Sequence, residues 1–127
     1  MPRVKKGAKE ILMEEMTKER GYILPEWAFM IEKDADFMEA YNKLYKKALT
    51  DGKALPARIR ELIAMAIFAY RGHEAHTYNH AKRAQRLGAT QQELLEAVET
   101  FIIPGGAPTF AIGLRALMKI DEEEKGT

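Results

Sequence analysis

The sequence predicts an all-α protein, a single-domain bundle of about six helices. Three observations predict it. Apolar residues recur at steps of three and four along most of the chain, the spacing of one helix face. No sustained apolar–polar alternation marks a strand, and the pair Asp51-Gly52 follows a helical stretch rather than joining β-branched runs. The 127 residues, 46% hydrophobic and 31% charged, suit one domain and argue against two independent cores.

The first helix is read over Ala8 to Arg20, with Gly21 as its stop. Its stripe of Ile11, Leu12 and Met16 is sparse, so this arm is expected to lean on a partner surface. Pro25 opens a short helix to about Lys33 that carries Trp27, Phe29 and Met30. Asp34 or Asp36 caps a third helix over 35–49, where Phe37, Tyr41, Leu44 and Ala48 share one face. Thr50-Asp51-Gly52 ends it.

Pro56 opens the next helix, which runs to about Tyr70. Its centre, Leu62 to Ala69, is apolar on nearly all sides, the pattern of a helix buried in a core or between subunits. Arg71-Gly72 breaks it. Another helix starts near His73 and stops at Gly88. Thr90-Gln91-Gln92-Glu93 is a capping box for a helix carrying Leu94, Leu95, Val98, Phe101 and Ile102. Pro104 to Pro108 forces a turn, and a last helix follows from Thr109 to Ile120. The expected division is an N-terminal helical arm (1–21), a helical domain (22–120) and a solvated acidic tail (121–127).

Composition removes several function classes. Twenty basic residues against nineteen acidic ones give a net charge of +1, which offers no general attraction for nucleic acid. Cysteine is absent, so disulfides, Cys-ligated zinc, iron–sulfur clusters and thiol chemistry are excluded. No uninterrupted apolar run reaches the ~18 residues of a membrane span, and no signal peptide is visible at Met1. A cytoplasmic protein without membrane partners is expected.

The three histidines fall within His73-Glu74-Ala75-His76-Thr77-Tyr78-Asn79-His80. On a helix they span an arc of about 60°, so three imidazoles share one face with Thr77. The helix dipole disfavours an added proton on the first two, and neutral imidazole suits a metal ligand or a general base. Glu61, near the start of the very apolar helix, is a candidate for partial burial. If the two helices pack antiparallel about Arg71-Gly72, Glu61 approaches the level of His80.

Three readings then stand. Glu61 with His80 makes an acid–base pair. His73, His76, His80 and Glu61 together make a four-ligand site for a divalent metal, zinc or nickel, although the spacing is not that of H-E-x-x-H. A polar helix face or a subunit seam is the plainer reading. Arg58, Arg60 and Arg71 are candidates for a substrate carboxylate, because guanidinium forks match carboxylates. Surface ion pairs are the alternative for them. Pro104 to Pro108 either lines a pocket or is simply an interhelical turn.

From Leu55 to Leu117 the order of features resembles the carboxymuconolactone decarboxylase family, which shares its fold with alkyl hydroperoxidase D. The residues that carry the resemblance are Leu55-Pro56, Arg60-Glu61-Leu62-Ile63, Glu74, His80-Ala81, Ala84 and Gly88-Ala89-Thr90. Glu93-Leu94, Glu96-Ala97 and Gly106-Ala107-Pro108 follow in the same order. The resemblance implies an all-α fold that assembles as homotrimers or homohexamers. It also implies that Glu61 and His80 match the family's Glu and His at the active pocket. In the peroxidase branch a CxxCxxxH motif supplies redox thiols. His73 and His76 stand at those cysteine positions here, which removes a thiol relay.

The decarboxylase branch implies loss of carbon dioxide from a small carboxylated lactone, with His80 and Glu61 catalytic and Arg60, Arg71 and His76 toward the substrate. No cofactor is required for that chemistry. The two alternatives are a metal-binding enzyme built on the three histidines and a non-catalytic oligomeric binding protein. Several short apolar helices in so small a chain independently favour a homo-oligomer.

Overall fold

The structure, a computed structural model, describes residues 7–126. Pro2 to Lys6 of the expected arm, the start of the chain and Thr127 of the expected tail lie outside the described residues. Six helices follow one another: α1 (Ala8–Arg20), α2 (Pro25–Lys33), α3 (Ala35–Leu49), α4 (Ala57–Tyr70), α5 (Glu74–Arg86) and α6 (Gln91–Lys125). No strand occurs among the described residues, so the all-α expectation holds. The contacts divide the chain into two compact units, one ending at Ala48 and one starting at Leu49. The bounds drawn at 21 and 120 do not coincide with that division.

The first unit has a core of its own, Leu12, Met16, Ile31 and Met38, so the expectation of a single core is corrected. The buried Arg20 donates from NH1 to Asn42 Oδ1 at 3.0 Å, and its guanidinium lies 3.8 Å from the Tyr45 ring centre. These contacts tie α1 to α3 of the same chain. Asp34 caps α3, accepting from the Phe37 N–H at 3.1 Å. The expected apolar face of α3 needs correcting. Met38 and Asn42 are buried, whereas Phe37 and Leu44 are exposed. The reason is polar: the side of α3 that meets Arg20 is chosen by Asn42 as much as by hydrophobicity.

In the second unit α4, α5 and α6 pack together around Met65, Ala69, Ala81, Ala84, Val98 and Phe101. The alanines let the helix backbones approach closely. Asp51 reaches forward to α4, its Oδ1 accepting from the Ala57 N–H at 2.8 Å. Along α4 the buried residues are Ala57, Glu61, Met65 and Ala69, one per turn. Within the single chain this helix is buried along one side only. Ile63, Ile67 and Tyr70 remain 48%, 54% and 67% exposed, because α5 and α6 cover only one side.

α6 opens on the expected capping box. Glu93 N–H donates to Thr90 Oγ1, and Thr90 N–H donates to Glu93 Oε1, both at 3.0 Å. The turn at Pro104–Pro108 takes one residue only: Gly106, at φ 73° and ψ −176°, is non-helical inside α6. Few residues other than glycine adopt that conformation. The two arms of α6 fold back on each other there. Gln91 Nε2 donates to Glu124 Oε2 at 3.0 Å across 33 residues, which a straight helix would hold ~50 Å apart. α6 is long and apolar enough to cross a membrane by length and composition, a feature the run-by-run reading passed over. Its fold at Gly106 makes it a hairpin of two short arms instead. The acidic residues from Asp121 are exposed as expected, yet they continue the helix to Lys125.

Candidate active site

The geometry that brings the site together is the antiparallel pairing of α4 and α5. The joint between them is short, with Gly72 at φ 80° turning the chain. Counting back from the joint along α4 and forward along α5 places Glu61 and His80 at matching depth. Glu61 is completely buried and His80 nearly so, at 0% and 5% exposure. His80 Nδ1 lies 2.5 Å from Glu61 Oε2. An ionised carboxylate only accepts, and its donor partner at this contact is an Nδ1–H, the tautomer that leaves Nε2 for other partners.

The other carboxylate oxygen has its own partner. Arg83 Nε donates to Glu61 Oε1 at 2.9 Å, and Arg83 is itself buried. Glu61 thus sits between an imidazole and a guanidinium, both offered by α5. Sequence reasoning missed Arg83. What marks it is structural: Arg83 is buried with Thr77, His80, Ala81 and Ala84 on α5, where an unpaired cation would be costly.

Phe68 was also missed. Its ring stacks on His76 and on His80, with centroids 4.8 and 5.0 Å apart and planes within 21°. His73 meets the same ring edge-on at 6.2 Å. The histidine face exists as expected, but an aromatic ring from α4 is packed against it. Burial is graded along that face: His73 is exposed, His76 half-buried and His80 buried. Thr77 is buried too, its hydroxyl donating to the His73 carbonyl at 2.6 Å.

The four expected metal ligands are only partly brought together. Among the described residues no group of three or more His, Cys, Asp or Glu side chains is placed to hold a metal ion. His73, His76, His80 and Glu61 do not converge as a ligand set. Both Glu61 oxygens are engaged by His80 and Arg83, and Phe68 packs against His76 and His80.

The arginines singled out from the sequence lie elsewhere. Arg60 donates from NH1 to the Thr50 carbonyl at 2.9 Å, tying down the stretch before α4. Arg58 pairs with Glu93 at 3.5 Å. Arg71 is exposed at the end of α4, ten residues and ~15 Å of helix beyond Glu61. Pro104 and Gly105 do line a cavity, as one of the two readings had it. That cavity of about 220 Å³ is apolar, bounded also by Ala66, Ile67, Tyr70, Phe101 and Thr109. On α4, Ala66 and Tyr70 lie on the side opposite Glu61 and Phe68.

A family model, that of the carboxymuconolactone decarboxylase family, matches residues 35–119. The chain belongs to this family. The chain is 34% identical over 84 residues to an uncharacterized protein of Cupriavidus necator, covering 66% of this chain and 74% of that one. It is 27% identical over 85 residues to an uncharacterized protein of Methanocaldococcus jannaschii, covering 67% and 78%. A solved carboxymuconolactone decarboxylase family protein from Legionella pneumophila superposes with a TM-score of 0.69 at 25% identity, over 90% of this chain and 95% of that one. A crystal structure from Burkholderia xenovorans, assigned only provisionally as a carboxymuconolactone decarboxylase, has the same fold. Its TM-score is 0.75 at 22% identity, over 94% and 98% of the two chains.

Proposed function

We propose that this carboxymuconolactone decarboxylase family protein is a carbon–carbon lyase acting on a small carboxylated lactone. The observation that supports this reading is the buried contact between His80 Nδ1 and Glu61 Oε2 at 2.5 Å. A carboxylate behind an imidazole fixes its tautomer and stabilises the imidazolium that forms when Nε2 takes a proton. In the reaction the bond from carbon to the substrate carboxylate breaks and carbon dioxide leaves. The electron pair stays on carbon, and a proton from His80 Nε2 completes it. No metal or organic cofactor is needed for that step. His76, one turn from His80 and half-buried, is the substrate contact in this reading.

Self-assembly belongs to the same proposal. The face of α4 that carries Ile63, Ile67 and Tyr70 is apolar and continuous with the apolar cavity at Pro104 and Gly105. A second copy of the chain, in a trimer or hexamer, is the occupant that suits it.

The test is a screen of carboxylated lactones for release of carbon dioxide. The proposal expects turnover of at least one of them, lost in His80→Ala. Turnover by the His80→Ala variant at the rate of the unaltered protein would overturn it.

A further inference from the structure

The acid–base reading uses Glu61 and His80 and leaves Arg83 without a part. Yet Arg83 is buried, and its Nε is bonded to Glu61 Oε1 at 2.9 Å. A guanidinium is taken out of water only at a cost, which a surface ion pair would not incur.

Two consequences follow from its place. The first is orientation. Glu61 has two equivalent oxygens and a torsion that rotates broadly about its last bond. A donor on Oε1 stops that rotation and presents Oε2 to His80. The second is charge. The carboxylate is already balanced by the guanidinium, so a neutral imidazole completes the buried group without net charge. A Glu–His pair alone would balance with a stored imidazolium instead.

We propose that Arg83 is a positioning residue: it locks Glu61 so that His80 rests as the neutral Nδ1–H tautomer with Nε2 bare. His80 is then first a proton acceptor. The proton it later delivers to carbon is one it has taken from water or from the substrate. This inference rests on the acid–base reading of His80, and it deepens that reading by naming the resting state of the base.

The experiment is nitrogen-15 NMR of the imidazole side chains in the whole protein at neutral pH, unaltered and as Arg83→Met and Arg83→Lys. His80 is assigned through its loss in His80→Ala. The inference expects one Nδ1–H resonance for His80 in the unaltered protein. That resonance is lost in Arg83→Met, replaced by an averaged or imidazolium signal, and at least partly restored in Arg83→Lys. A purely structural role for Arg83 would lower the melting temperature of both variants and leave the tautomer of the folded fraction unchanged. That result would overturn the inference while leaving the acid–base reading standing. An Nε2–H tautomer in the unaltered protein would overturn both. If Arg83→Met fails to fold, Arg83→Gln takes its place: it keeps a donor for Oε1 without the charge, and the inference expects the neutral Nδ1–H signal of His80 to give way to an imidazolium, whereas an unchanged tautomer overturns it.

Discussion

Glu61 and His80 are nineteen residues apart in the chain and 2.5 Å apart in space. The relationship is a product of helix length. α4 climbs from Glu61 to the joint, and α5 descends from the joint to His80 over nearly the same distance. Lengthening the joint would change the depth at which the two side chains meet, and with it the pair.

Glu61→Gln keeps the shape of the side chain and removes its charge. It can no longer stabilise an imidazolium at His80, and its amide no longer suits both donors that now share the carboxylate. Turnover of a carboxylated lactone, measured as carbon dioxide release, is expected to fall by about 10²–10⁴ in kcat, the usual worth of a positioned acid–base group. Circular dichroism should show the helices retained.

Gly106→Ala tests the hairpin of α6. The site has room, since the nearest atom to an added Cβ is Pro108 Cδ at 3.7 Å. The cost comes from the backbone at φ 73° and ψ −176°, and it is expected to be about 1–3 kcal/mol in denaturant titration. Gly113→Ala should cost a similar amount for the opposite reason. Its backbone is ordinary, but a Cβ there would lie 2.8 Å from Val98 and 2.9 Å from Phe101, so the other arm must yield by overpacking, about 1–3 kcal/mol.

Tyr78 gives a pH dependence. Its phenol is pushed up from 10.0 to about 12, first by burial and then by its hydrogen bond to Glu123. The fold favours the neutral phenol, so this contribution to stability is complete below pH 10 and lost as pH rises from 10 to about 12. Tyrosinate absorbance should show a late-titrating phenol near pH 12 that is absent in Tyr78→Phe.

Ile67→Glu places a charge in the middle of the exposed stripe on α4 while sparing the buried side of that helix. If a second copy covers this face, light scattering should report a smaller assembly than for the unaltered chain. An unchanged mass would place the subunit contact elsewhere.

Much of this architecture is legible in the residues themselves. Gly21, Gly72 and Gly88 announce the helix ends, and each takes the positive φ that such an end requires. The capping box at Thr90 and the turn at Gly106 are readable because they are local. Burial was harder to read. The stripe on α3 followed Phe37 and Leu44, whereas the buried side is set by the long-range bond from Arg20 to Asn42. The site divides in the same way. Glu61 and His80 follow from helix spacing and one assumption about antiparallel packing. Phe68 and Arg83 do not, because what singles them out is which neighbour each touches across the helix pair.

The central claim is that one histidine of the three, His80, performs the proton transfer because Glu61 stands behind it. The most direct measurement compares carbon dioxide release from a carboxylated lactone in His80→Ala and His76→Ala. The account predicts that kcat collapses in His80→Ala, while His76→Ala changes KM and leaves kcat near that of the unaltered protein. Equal losses of kcat in both variants, or full kcat in His80→Ala, would contradict it.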